Sequence, residues 1–231
     1  MTFKTELHCH SRTVSACASI SPAELVDTYL KNGYTTVVLM EHLNGATFKE
    51  GGHYTGGADW QEKMDYYMQG FHALREAAAG RLHILLGCEL CLAGTHSDYL
   101  IHGITEEFLR KNPDLMELKK IEKVAKRVRE NGFLLYQAHP FRNGMTITDP
   151  THLDGIEIYN AHPRHNSRND LAALWAERYG LRRISGSDIH DPSDPPGGGL
   201  LTDHPITTRE ELLDALREQR YSLITEGAPG K

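Results

Sequence analysis

Seven short apolar runs, each followed by a polar or amphipathic stretch, set the rhythm of the chain. TELHCH (5–10), TTVVLMEH (35–42), LHILLGCELCL (82–92), DYLIHGI (98–104), FLLYQAHP (133–140), DGIEIYN (154–160) and RRISGSDIH (182–190) read as strands. Several are too apolar to leave one face in water, the pattern of strands buried on both sides. Between them the apolar residues change to helical spacing. Ser21-Pro22-Ala23-Glu24 combines an N-cap, a proline at the first helical position and a capping-box carboxylate, and Gly33 suits the residue just past the helix end. Further helices are expected over about 59–80, twice between 104 and 132, over 166–180, and at TREELLDALREQ. The charge-rich KKIEKVAKRVREN is a solvated helix with its apolar residues turned inward.

This alternation predicts an α/β fold with a mostly parallel sheet. No linker rich in Pro, Gly or Ser divides the chain and no repeat recurs, so residues 1–231 are expected to form a single domain. Residues 43–58 carry five glycines and read as a long loop of the lid or substrate-binding kind, with His53 and Tyr54 in it. Asp194-Pro195-Pro196-Gly197-Gly198-Gly199 reads as a loop without the Lys-Ser/Thr ending of a phosphate cradle.

Composition changes this little, with two exceptions. The net charge of −6 argues against nucleic acid as a partner, which normally meets a basic surface. It leaves room for a small anionic substrate if metal ions supply local positive charge. The amino terminus lacks a signal-peptide core and no apolar run is long enough to span a bilayer, so a cytoplasmic protein without a membrane partner is expected. Cys88-Glu89-Leu90-Cys91 has CxxC spacing, but it ends a strand instead of opening a helix, which is the wrong context for a redox motif.

The second exception is the 14 histidines, many of which sit at strand ends beside carboxylates. His8 and His10, two apart on a strand, project from one face while Cys9 points the other way. Asp188 and His190 repeat that spacing. Glu89, His139 and His42 end other strands. One strand-end histidine proves nothing, since it can simply bond a carbonyl. Several together, at the carboxyl ends where α/β active sites assemble, indicate a metal cluster. Imidazole and carboxylate ligands suit Zn, Mn or Fe, and Glu89 can bridge two ions.

ELHCHS, SPAELVDTYLKNGYTTVVLMEH, GCEL, AHPFR and GSDIH, in that order between about residues 5 and 190, resemble the PHP (polymerase and histidinol phosphatase) family. The resemblance implies a distorted TIM-like (β/α)7 barrel and a metal-dependent phosphoesterase of EC 3.1 type with two or three ions. One ion would be held by His8, His10, Glu89 and Asp188; a second would share Glu89 and add His139; a third would use His42 and His190. Where the family motif has Asp before His42, this chain has Glu41. Asp98 stands near the position of a further family histidine, with His102 close by in a different register. Cys17 stands where many trinuclear members have another histidine; it is read either as a thiolate ligand or as a small core residue.

The resemblance implies catalytic roles for Asp188, His190 and Arg142, with a metal-bridging hydroxide attacking the phosphorus of a small phosphate ester. Arg142, in a strand-end loop, can pair with phosphate oxygens or, as a surface residue, with a helix carboxylate. Asn160, His162, Arg164 and His165, in the loop after GIEIYN, can reach substrate or can cap the next helix. Two other classes compete: an amidohydrolase-like C–N hydrolase, and a metal-binding regulatory module without catalysis. The first usually carries a lysine on a middle strand, where this chain has Glu89 and His139.

Overall fold

The computed structural model describes residues 1–49 and 53–226. The strands are β1 (Phe3–Cys9), β2 (Tyr34–Leu39), β3 (His42–Leu43), β4 (His83–Cys91), β5 (Asp98–His102), β6 (Leu134–Gln137), β7 (Gly155–Asn160), β8 (Arg182–Gly186), β9 (Gly198–Thr202) and β10 (Ser222–Thr225). The helices are α1 (Pro22–Lys31), α2 (Trp60–Ala78), α3 (Glu106–Lys111), α4 (Ile121–Glu130), α5 (Asn169–Tyr179) and α6 (Arg209–Glu218). The sheet runs β10-β9-β1-β2-β4-β5-β6-β7-β8, with β3 beside β4. It curls back on itself. Cys9 and Ile189 form a parallel bridge, and Asp188 N donates to His8 O at 2.7 Å while His10 N donates to Ile189 O at 3.1 Å. The result is a nearly closed, barrel-shaped mixed α/β sheet of the TIM-like kind.

Two departures from a parallel sheet have physical causes. β5 runs antiparallel to both β4 and β6. Only residues 92–97 separate β4 from β5, too few for a parallel crossover, which needs a dozen or more. The reversal brings the first residue of β5, Asp98, to the end where the other strands finish. The run read as a loop at 194–199 leads into β9, which pairs antiparallel with β1 and β10. Its glycines are steric: a Cβ on Gly198 would lie 2.1 Å from the Gly186 backbone, and Gly199 has φ +119.

Leu7, Leu100, Leu134, Tyr136 and Ile184 fill the inside of the barrel together with Leu212, Leu213 and Leu216 of α6. Arg209 and Arg217 of α6 donate to the carbonyls of Gly103 and Gly132, which lie at the far ends of β5 and β6. α6 therefore plugs the barrel opposite to Asp98. Outside, α1 packs on β1 and β2 through Leu25, Val26 and Tyr29, its N-terminus closed by the Ser21–Glu24 capping box. Helices α2 to α5 cover the other strands.

In the loop expected over 43–58, residues 50–52 lie outside the described residues. Phe48 and Tyr54 pack on each other and on Tyr66 of α2, and neither lines the cleft described below. No helix among the described residues is long and apolar enough to cross a membrane.

Candidate metal centre

The open end of the barrel is built from buried polar side chains. Between Glu6 and Cys9, β1 advances three residues while β2 advances two, from Val37 to Leu39. That bulge re-aims the strand end. Glu6 holds it, accepting from the backbone N–H groups of Leu7, His8 and Ser187, each at 2.9 Å, and from Ser187 Oγ. Burial pushes the Glu6 carboxyl up to about 7 against those same hydrogen bonds. Asp188 and His139 sit at φ +54 and +29, left-handed backbone that non-glycine residues tolerate only where the surroundings enforce it.

These constraints gather the donors. His8 Nε2 lies 3.4 Å from both Glu89 Oε1 and Asp188 Oδ1. His10 Nε2 lies 3.3 Å from Glu89 Oε2 and from Asp188 Oδ1. His139 Nε2 is 3.3 Å from Glu89 Oε1, His190 Nδ1 is 3.5 Å from Asp188 Oδ1, and His42 Nδ1 is 2.9 Å from Glu89 Oε2. Three triads have all their donor atoms within 4.8 Å of one another: His8–His10–Asp188, His8–Glu89–His139 and His10–His42–His190. Ligands held about 2.0–2.2 Å from one ion in a tetrahedral array stand roughly 3.3–3.6 Å apart, the spacing seen for most of these pairs.

Hydrogen bonding fits the same group. His8 Nε2, His10 Nε2 and both Glu89 oxygens are buried without a hydrogen-bond partner, a state that costs free energy unless another group satisfies them. Burial disfavours a charged His8, but Asp188, Glu157 and Glu89 outweigh it and raise its pKa well above the usual value. Burial opposes ionisation of Glu89 and Asp188 as well, and His8 and its cationic neighbours hold both carboxyls well below the normal range. The site demands positive charge. A multivalent cation held between these groups would supply it.

Three further carboxylates support these donors, and of them only Glu41, beside His42, stood out in the sequence, as a departure from the family motif. Glu157, inside β7, accepts from His8 Nδ1 at 2.9 Å, from the backbone N–H of His139 at 2.9 Å and from Asn160 Nδ2 at 3.0 Å. It fixes the His8 tautomer so that Nε2 keeps its lone pair, the usual second partner of a metal-binding histidine. Glu41 accepts from the hydroxyls of Ser11 and Ser15, and Ser15 Oγ reaches His10 Nδ1 at 3.4 Å. Glu6 is the third.

Above the donors lies a cleft of about 270 Å³ bordered by Cys17, Asp98, Arg142, His162, Arg164 and His165, with His42, His139, Asp188 and His190 at its floor. Arg142 Nη2 donates to Asp188 Oδ2 at 2.8 Å and Asn160 Oδ1 at 3.0 Å, while its Nε is buried and unpaired. Asn160 thus faces the site instead of capping α5. Arg164 is committed to Asp194 through both of its terminal nitrogens, and Asp194 also receives the N–H groups of His190 and Asp191. The rings of His162 and His165 lie 4.6 Å apart, tilted by 42°.

Asp98 lies at the rim, opposite Cys91 in the β4–β5 register and outside the three triads. Burial first, then the Glu89 charge, raises its carboxyl. Burial works against ionisation of Cys17, yet hydrogen bonds to His190 and His42 bring its thiol down to about 5. Cys88 and Cys91 are unpaired thiols, both pushed up to about 12 chiefly by burial, the opposite of redox activation. His102 is fully buried beneath the site against Tyr136, away from the triads. A larger cleft of about 590 Å³ beside α6, lined by His204, Pro205, Asp214 and Arg220 among others, contains none of the three triads.

The PHP domain family matches residues 6–225, and the chain belongs to that family. No curated protein sequence matches it significantly. Among solved structures it is similar to a two-domain protein from Bacteroides vulgatus containing a predicted PHP-like metal-dependent phosphoesterase, at 19% identity and TM-score 0.70 over 98% of this chain and 65% of that one. The chain thus spans just under two-thirds of that protein's length. It is also similar to an amidohydrolase from Chromobacterium violaceum with bound sulfate and no metal, at 18% identity and TM-score 0.58 over 91% of this chain and 96% of that one. A third is endonuclease Q in complex with a 27-mer duplex substrate bearing an abasic lesion, at 14% identity and TM-score 0.61 over 94% of this chain and 57% of that one.

The endonuclease corrects one expectation. Net charge argued against nucleic acid in the sequence, but this fold occurs in an enzyme that acts on DNA. Net charge sums the whole surface, whereas the groups at one cleft decide what binds there.

Proposed function

We propose that residues 1–231 form one PHP-type barrel domain that hydrolyses a phosphate ester at a cluster of two or three transition-metal ions, Zn, Mn or Fe. His8, His10, Glu89 and Asp188 would hold the first ion, Glu89 and His139 with Asp98 at the rim the second, and His42 and His190 the third. The observation that carries this reading is the set of overlapping triads that meet at His8, His10 and Glu89, whose facing atoms are buried without a hydrogen-bond partner. When bound, such ions supply Lewis acidity toward phosphoryl oxygens and a water acidic enough to react near neutral pH.

The chain's own residues do the rest. Asp188 divides its carboxylate, Oδ1 toward His8 and His10 and Oδ2 toward Arg142. That places a guanidinium next to the ion-binding oxygens and at the border of the cleft, where it can meet a phosphoryl oxygen. His190 Nδ1 lies 3.0 Å from the Asp188 carbonyl, which fixes its ring at the cleft floor. His162 and His165 stand at the cleft wall, where a substrate's leaving group would lie; Arg164 orders the Asp194 turn behind His190. A C–N hydrolase on the same scaffold is the second reading. Arg142 at the cleft and the pairing of Glu89 with His139 favour the phosphoester.

The test is a panel of phosphomonoesters, cyclic phosphodiesters, an oligonucleotide with an abasic lesion and amides, assayed after reconstitution with Mn, Zn or Fe and paired with elemental analysis. Metal-dependent turnover confined to phosphoesters is expected. Turnover of amides alone would overturn the reading.

A further inference from the structure

The large hydrophobic side chains that stay exposed are not scattered over the surface. Among the described residues they are Met1 at the terminus and Leu171, Leu174 and Tyr179, at 41, 62 and 48% exposure, all three on α5. Single exposed apolar residues are ordinary, whereas a cluster on one element marks a face that meets a partner. Ala172 and Ala176 carry the buried side of α5. At about 100° of rotation per residue, Leu174 points away from the midpoint between them, at the centre of the outer face. Half-buried Trp175 continues the apolar strip, its ring 4.4 Å from that of Tyr179 and 6.1 Å from that of Phe141.

Leu174 is also the middle residue of the helix, which runs Asn169–Tyr179. On the same row, one turn to either side, stand Asp170 and Arg178. Both are exposed, and neither has an ion-pair partner among the described residues. An acidic residue, an apolar centre and a basic residue form a row that complements itself when reversed. Laid antiparallel on a second α5, with a twofold axis at Leu174, it sets Leu174 against its own copy and each Asp170 against Arg178 of the other copy. One patch then serves both chains, as a twofold interface requires. A parallel pairing would set like charges together.

We propose that α5 is a homodimer interface, through which two copies of this chain pack antiparallel about Leu174. Neither the cleft nor a metal ion takes part, so the inference stands apart from the function proposed above. Eleven residues make a helix only about 16 Å long. The interface is therefore small, and dissociation in the micromolar range or weaker is expected.

Sedimentation equilibrium of the full chain, from roughly 1 μM to 1 mM, tests it. Wild type should pass from monomer to dimer within that range. Leu174→Arg should weaken association on the order of 30-fold, the scale of losing a central anchor residue. Arg178→Asp should weaken it as well, and adding Asp170→Arg should restore it, because both ion pairs are then reversed. These positions are exposed, so circular dichroism and Tm should stay at wild-type values in every variant. A wild type that remains monomeric throughout, a dimer as tight in Leu174→Arg as in wild type, or a double variant as weak as Arg178→Asp alone would overturn the interface.

Discussion

Glu157 and His8 show how single residues set the chemistry here. The imidazole has two nitrogens, and the hydrogen bond at Nδ1 decides that Nε2 is the one offered to the site. Glu157→Gln removes the charge but keeps the shape, and it is expected to weaken the tightest ion about 10–100-fold, read by chelator competition. Unchanged affinity would mean that Glu157 serves folding alone. At this scale the strand-end donors were legible: His8, His10, His42, Glu89, His139, Asp188 and His190 all converge. An imidazole or carboxylate closing an apolar run has few other reasons to be there. Glu6, Glu41 and Glu157 were not legible as supports, because their role depends on which backbone N–H or hydroxyl approaches from another strand. Arg164 was legible as a loop residue, but its partner Asp194, 30 positions away, was not.

At the scale of elements, close approach between strands governs the geometry. Gly186 ends β8 where a Cβ would come within 2.4 Å of His8 Cβ and 2.5 Å of Glu157 Oε1. Gly186→Ala must therefore displace a donor and its support together. The expected cost is about 1–3 kcal/mol in urea unfolding, together with weaker metal binding; a stability change below roughly 0.5 kcal/mol, the range of surface substitutions, would show that the strands relax freely. Periodicity found the seven strands that make up the barrel wall, and capping signals placed α1. β5's direction, β9 and β10 escaped it. The antiparallel β5 was encoded in the shortness of its connection, not in its own residues. β9 was hidden because glycines that read as a loop are needed for its passage over Gly186 and Thr5.

For the molecule as a whole, α6 closes one end of the barrel with leucines, and the other end gathers carboxylates and imidazoles, most of them buried. Bound ions would relieve that buried charge. An ion present at a thousandfold over its dissociation constant stabilises the fold by about 4 kcal/mol. At roughly 2–4 °C per kcal/mol for a chain of this size, chelation should lower Tm by about 8–16 °C, followed by calorimetry. A Tm indifferent to chelation would mean that no ion is held by the folded state. Net charge misled at this scale, since −6 describes the surface and not the cleft.

Asp188 joins the two halves of the site, facing His8 and His10 with one oxygen and Arg142 with the other. The most direct measurement is phosphoester turnover by metal-loaded Asp188→Asn beside wild type, with bound metal quantified in both. Loss on the order of 10³-fold is expected, the scale of removing a charge-stabilising group from an active site. Full activity in the variant would contradict a catalytic metal centre at this end of the barrel.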